Sequence, residues 1–365
     1  MRTIPNTMAS CFLGANTPDG FLSLFDELHD PDGGWRLYII KGGPGTGKST
    51  LMKRVADEAD RRGLYAERVY CSSDPASLDG VILPSLKVSV ADGTAPHVLE
   101  PAFPGAVERT VDLGRFRDDD RLFADRTRVI ALTRENAACH AAATRYLSAA
   151  AAGVREAAAL TLRHTDLDRA DAFTDRLALR LLGQTSGAGE YRRRFLAAVT
   201  PEGIVTHPGT LAAAETALCF TDPTGIAASR ILRRFADAAV GRGYAVTLCP
   251  AFLSPAVGAD AVLVHELSLA LFAETAFTSF GVPARHIRCE RFVEKAAFAA
   301  VHNRYTLALK AARRFVADAV AEVRQAKAVH DRLEEIYRDA MDFDGVKREG
   351  DRVLREIFGD GSPAA

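Results

Sequence analysis

Arg36-Leu37-Tyr38-Ile39-Ile40-Lys41-Gly42-Gly43-Pro44-Gly45-Thr46-Gly47-Lys48-Ser49-Thr50 is the stretch on which the reading of this chain turns. Leu37 to Ile40 is a short apolar, partly β-branched run, the pattern of a buried strand. Gly42 to Ser49 matches G-x-x-x-x-G-K-[ST] at every required position. Beyond it, Leu51, Met52, Val55, Ala56 and Ala59 fall on one helical face, and Gly63 supplies a C-terminal stop. Strand, glycine-rich loop and helix follow one another directly from Arg36 to Gly63.

Each residue type in the loop has a mechanical reason. Gly42, Gly45 and Gly47 permit backbone conformations that turn successive N–H groups toward phosphate oxygens, and the helix N-terminus adds its dipole. Lys48 then reaches the β- and γ-phosphates, and the Ser49 hydroxyl is a ligand for Mg²⁺. The expected binding set is Gly42, Gly43, Pro44, Gly45, Thr46, Gly47, Lys48, Ser49 and Thr50, the Walker A loop of a nucleoside-triphosphate site.

The chain also repeats itself. Phe12 to Gly20 is echoed by Phe195 to Gly203, Met52 to Asp57 by Leu232 to Asp237, Gly63 by Gly243, Asp79 to Thr94 by Asp260 to Thr275, and Arg115-Phe116 by Arg291-Phe292. The matches keep one order at an offset of roughly 180 residues, the length of a duplicated domain. In place of Gly42 to Ser49 the second copy has Asp222-Pro223-Thr224-Gly225-Ile226-Ala227-Ala228-Ser229. An acid replaces Gly42, and alanines replace Gly47 and Lys48, so this copy is expected not to bind nucleotide.

The duplication is an internal control, because features kept in both copies persist where the chemistry is gone. By that test the Thr-Pro-[Asp/Glu]-Gly turns, Asp79 and Asp260 are structural. Two acids survive the test as magnesium-site candidates. Leu86 to Ala91 alternates like a strand and ends on Asp92, the position of a Walker B carboxylate at a strand C-terminus; its counterpart is Ala273. Asp74 follows the strand Glu67 to Tyr70. Ser49, Asp92 and Asp74 are the magnesium-site candidates, with Asp92 favoured over Asp74, whose other role is loop capping. His97 lies a few residues beyond Asp92 and is a candidate to orient a water or touch a γ-phosphate. Lys48, Asp92 and His97 form the expected catalytic set.

The composition of 46 basic and 47 acidic residues gives a net charge of −1, which argues against nucleic acid as the main partner. The six cysteines are scattered without a C-x-x-C pair and read as reduced thiols of a cytoplasmic protein. Residues 1–20 lack the apolar core of a signal peptide, and no run of about 18 apolar residues occurs. Long Ala-, Leu- and Arg-rich stretches follow each α/β segment. One stripe runs through Val129, Leu132, Asn136, Cys139, Ala143, Tyr146 and Ala150, another through Val316, Val320, Val323, Val329, Leu333 and Ile336. Both read as helical hairpins, at about 119–182 and 291–358, packed on the α/β core; a protein partner on these faces is the second reading. The Gly/Ser-rich segment 183–189 marks the expected boundary between residues 1–183 and 184–365.

Lys41 to Thr50, Cys71 to Val81, Asp92 to His97 and Pro104 to Val107 together resemble a bacterial family of tandem P-loop ATP-binding proteins. The resemblance covers nearly the whole chain. It implies a duplicated P-loop NTPase fold with α/β/α layers and binding of ATP, without a known reaction; this sequence departs from the family in its second loop. Two enzymatic readings follow. One is a Mg²⁺-dependent ATPase, a hydrolase that moves its helical elements or a partner, with Arg230, Arg285 or Arg288 as a candidate arginine finger. The other is a small-molecule kinase in which Pro96 to Arg121 forms an acceptor site or lid and Arg109, Arg115, Arg117 and Arg121 clamp phosphates. Arg115 recurs as Arg291 and so reads as structural. A slow-turnover nucleotide sensor is the non-enzymatic reading.

Overall fold

The computed structural model describes residues 8–359. In chain order, the first α/β segment contains β1 (Arg36–Lys41), α1 (Lys48–Arg61), β2 (Glu67–Tyr70), β3 (Leu78–Leu83), β4 (Val88–Asp92) and β5 (Glu108–Asp112). Two helices follow, α2 (Arg126–Leu162) and α3 (Leu167–Leu181). The second segment contains β6 (Glu190–Arg193), β7 (Thr216–Thr221), α4 (Ile226–Val240), β8 (Ala245–Pro250), β9 (Ala259–Val264), β10 (Leu269–Glu274) and β11 (Arg285–Arg288), and ends in α5 (His302–Asp339) and α6 (Phe343–Phe358).

The chain is mixed α/β. Strands of the first segment lie in the order β2-β3-β4-β1-β5, and those of the second in the order β6-β8-β9-β10-β7-β11. β1 runs parallel to both β4 and β5, as β7 does to both β10 and β11. β3 is antiparallel to its two neighbours, and so is β9. The same connections are thus made twice. Local detail repeats as well: Lys87 and Ser268 both take left-handed conformations, with φ 53° and 48°, at the turn into β4 and β10. That turn shortens the expected strand, since Leu86 is exposed and β4 begins only at Val88.

The threonine of each Thr-Pro-[Asp/Glu]-Gly turn performs one task in both copies. Thr17 Oγ1 donates to the Gly20 carbonyl at 2.7 Å, and Thr200 Oγ1 donates to that of Gly203 at 3.0 Å. Phe12 and Phe195, equivalent residues just upstream, exchange both backbone hydrogen bonds at 2.9 Å.

The chain divides into two compact units that differ from the contiguous halves 1–183 and 184–365. One takes the chain up to Leu22 with Ala142–Ala321; the other takes Ser23–Ala141 with the chain from Glu322. The division falls inside α2 and α5. α3 thus belongs to the unit of the second sheet and α6 to the unit of the first.

In the unit of the second sheet, α3 packs beside α4, burying Ala170, Leu177 and Ala178 with Ile231, Leu232, Phe235 and Ala239 over the sheet. Asp166 caps α3 by accepting from the Arg169 amide at 2.9 Å, and its own amide donates to the Phe292 carbonyl at 2.8 Å. In the unit of the first sheet, Val353 of α6 joins Leu51, Met52, Val55 and Ala59 of α1 in the core, with Leu354 and Ile357 packed against them. Asp342 caps α6 through the Gly345 amide at 3.0 Å, and its amide donates to the Phe116 carbonyl at 2.9 Å. α6 therefore starts at Phe343, earlier than its apolar pattern alone suggests, because Asp342 satisfies its first turn.

Candidate functional site

β1 delivers the loop 42–47 to the C-terminal edge of its sheet, and α1 begins at Lys48 immediately after it. Gly45 and Gly47 have φ of 65° and 93°, left-handed conformations that favour glycine. Thr46 is buried and ties the loop to itself, its Oγ1 donating to the Gly43 carbonyl at 2.9 Å. Lys48 folds back along the loop, with Nζ donating to the carbonyls of Gly42 at 3.1 Å and Gly43 at 2.8 Å.

Asp92 ends β4, whose parallel register pairs it with Ile40, two residues before the loop. Its Oδ2 lies 3.6 Å from Lys48 Nζ, while Oδ1 accepts from the Thr94 amide at 2.8 Å and the Thr94 hydroxyl at 2.6 Å. Lys48 and Asp92, far apart in sequence, thus meet at one sheet edge. His97 joins them. Lys41 Nζ donates to the carbonyls of Gly93 at 3.0 Å and Leu99 at 2.6 Å, which folds segment 93–99 back over the end of β1. The buried imidazole stacks on Phe25 with ring centroids 4.3 Å apart. Burial pushes its pKa down, offset by the nearby charge of Asp92.

Asp79 completes the cluster. One donor atom each from Asp79, Asp92 and His97 lies within 4.8 Å of the others. Asp79 sits at the start of β3, opposite the end of the antiparallel β4. It is 6% exposed, and burial, reinforced by the charge of Asp92, pushes its pKa up to about 7. The thiol of Cys71 is pushed well up by burial and by the charge of Asp79. Recurrence as Asp260 marks Asp79 as structural in the sequence, yet it lies beside Asp92 and His97. The available sequence signal was its place at the head of the strand that pairs with Asp92.

Ser49 and Asp74 stand differently. Ser49 Oγ accepts from the Leu78 amide at 3.0 Å, and the equivalent Ser229 Oγ accepts from the Ala259 amide at the same 3.0 Å. That contact links helix to strand in both copies and leaves Ser49 one further lone pair. Asp74 accepts from Ser77 Oγ at 2.8 Å and from the Ala76 amide at 3.3 Å, capping its own loop, and lies 3.8 Å from Lys327 Nζ. It is outside the Asp79–Asp92–His97 group.

Residues with no local sequence signal cover the loop's outer side. A Cβ on Gly43 would lie 2.5 Å from the Tyr337 ring, and one on Gly45 2.8 Å from Arg338 Cγ and 3.0 Å from the Glu334 carbonyl. Glu334 is held below the usual carboxylate range by His330 first, then by Lys327 and the Gly45 amide.

The second copy resolves its loop otherwise. Asp222, 6% exposed, accepts from the Thr224 amide at 3.1 Å, the Thr224 hydroxyl at 3.0 Å and the Ala228 amide at 3.1 Å. A side-chain carboxylate fills the N-terminus of α4. Asp260 is 1% exposed, neither carboxylate oxygen has a hydrogen-bond partner among the described residues, and burial pushes its pKa up to about 8.

Several arginines named from the sequence have partners. Arg109 pairs with Glu356 at 2.7 Å, Arg115 with Glu349 at 3.1 Å, Arg117 with Asp119 at 2.6 Å, Arg121 with Asp339 at 3.6 Å and Arg230 with Asp171 at 2.6 Å. Arg285 and Arg288 are exposed on β11. Among the described residues no helix is long and apolar enough to cross a membrane. No protein-family model, curated protein or solved structure matches the chain.

Proposed function

We propose that the first copy is a P-loop site for a nucleoside triphosphate, by preference ATP, and that the protein is a Mg²⁺-dependent ATPase built on a duplicated P-loop NTPase fold. The observation that carries this reading is the meeting of Lys48 with Asp92, 3.6 Å apart, beside a loop whose glycines take left-handed conformations at a helix N-terminus. A lysine and amide groups suit the phosphates, and an aspartate suits their cation. The residues fit such a group: Lys48 donates to loop carbonyls that a phosphate chain would replace, and Asp92 and a lone pair of Ser49 are available to a hard cation. When bound, the cation would neutralise charge on the phosphates. Lys48 would add its own positive charge, and His97 and Asp79, grouped with Asp92, are the residues that would hold or orient an attacking water.

The contacts of Tyr337, Arg338 and Glu334 with the loop give a route from its occupancy to α5 and α6. This favours an ATPase that moves helices over a kinase, whose candidate phosphate clamps Arg109, Arg117 and Arg121 are engaged with acids. A phosphate-release assay on the purified chain tests it. The reading expects Mg²⁺-dependent turnover without an acceptor, lost in Asp92→Asn. Tight binding without release would move the weight to a kinase or a sensor.

A further inference from the structure

The edge of the second sheet carries a separate constellation. Cys219 in β7 is the register partner of His286 in β11, and Glu274 ends the neighbouring β10. One donor atom each from Cys219, Glu274 and His286 lies within 4.8 Å of the others. Strand alternation explains the convergence. Leu218, Phe220, Ala273 and Ile287 face the core under α4, so the residues beside them point to the opposite face of the sheet.

The three donors belong to this copy alone. By strand register and loop position their equivalents in the first sheet are Ile39, Gly93 and Thr110, none of which presents a thiolate, carboxylate or imidazole. Access is graded, with Cys219 buried, Glu274 half-buried and His286 exposed, so an ion has a way in from solvent. Ligands of a tetrahedral zinc site stand about 3.6 Å apart, given metal–ligand distances near 2.2 Å. The three donors, within 4.8 Å of one another, stand close to that spacing.

We propose that Cys219, Glu274 and His286 bind a borderline-soft divalent cation of the zinc type, leaving one coordination position open. A thiolate with an imidazole and a carboxylate selects against magnesium and calcium, which take oxygen ligands. Binding forms the metal–sulfur bond as the thiol proton passes to solvent. The copy without a lysine in its loop thereby holds a site of different chemistry, independent of the nucleotide reading.

Titration of the metal-free full chain with Co²⁺, followed by absorption, tests this. The expected result is one Co²⁺ per chain with a thiolate-to-cobalt charge-transfer band, abolished in Cys219→Ser and at least tenfold weaker in affinity in His286→Gln. His286 is exposed, so its variant keeps the test valid where Cys219→Ser fails to fold. Asp92→Asn, at a site without sulfur in its donor group, should leave the band unchanged. Absence of the band in the unaltered chain, or its survival at full affinity in His286→Gln, overturns the proposal.

Discussion

The carboxylate of Asp222 accepts a hydrogen bond at 3.1 Å from the amide of Ala228, the residue that stands in the second copy where Lys48 stands in the first. A fixed protein carboxylate thus occupies the helix N-terminus that the proposed function assigns to a mobile phosphate in the other copy. Loss of the lysine and gain of the aspartate are two sides of one change. Asp222→Ala removes three hydrogen bonds, one of them to the first turn of α4, and should cost about 1–2 kcal/mol of stability. Chemical denaturation checks this, and an unchanged midpoint would contradict it.

Ser49 and Ser229 make the same hydrogen bond to the strand beside them, which separates structure from chemistry. Ser49→Ala and Ser229→Ala should each lose about 1 kcal/mol. Only Ser49→Ala should also weaken the Mg²⁺ dependence of nucleotide binding. The paired measurement is denaturation with magnesium titration, and equal magnesium effects in both variants would remove Ser49 from the metal set.

Glu334 holds a negative charge against Gly45, where phosphate must approach. Glu334→Gln should bind ATP about fivefold more tightly, close to the 1 kcal/mol expected of one half-exposed charge. Weaker binding, measured by calorimetry, would instead make Glu334 part of the binding surface.

Asp260 gives a pH dependence whose sign is fixed. Its pKa is pushed from an ordinary 3.8 to about 8 in the folded chain. Between those values the folded state retains a proton that the unfolded state releases, so stability falls as pH rises from about 4 to about 8. Asp260→Asn should flatten that decline in thermal melts. A residual slope up to neutral pH is expected from Asp79, pushed to about 7 by burial and then by Asp92. An unaltered slope in Asp260→Asn would contradict the burial assignment.

The loop, the strand before it and the helix after it were legible because their residue types are dictated locally: glycine by backbone conformation, Leu51 to Ala59 by helical period. The position of Asp92 at the end of a strand was legible. That Asp79 lies beside Asp92 and His97 was not, because it depends on the antiparallel register of β3 and β4, and recurrence as Asp260 does not say what a side chain faces. The exchange of α3 and α6 between units was not legible. An apolar stripe such as Val346, Val353 and Ile357 declares that a face is buried, without naming what buries it. Glu334 and Tyr337 were invisible for the same reason, since their contact with the loop depends on which sheet receives the final helices.

The most direct test of the account is calorimetric titration of the purified chain with Mg²⁺-ATP, beside Lys48→Ala. The account predicts one nucleotide per chain, with affinity reduced at least about tenfold in the variant. No binding to the unaltered chain, or equal binding by both, would contradict it.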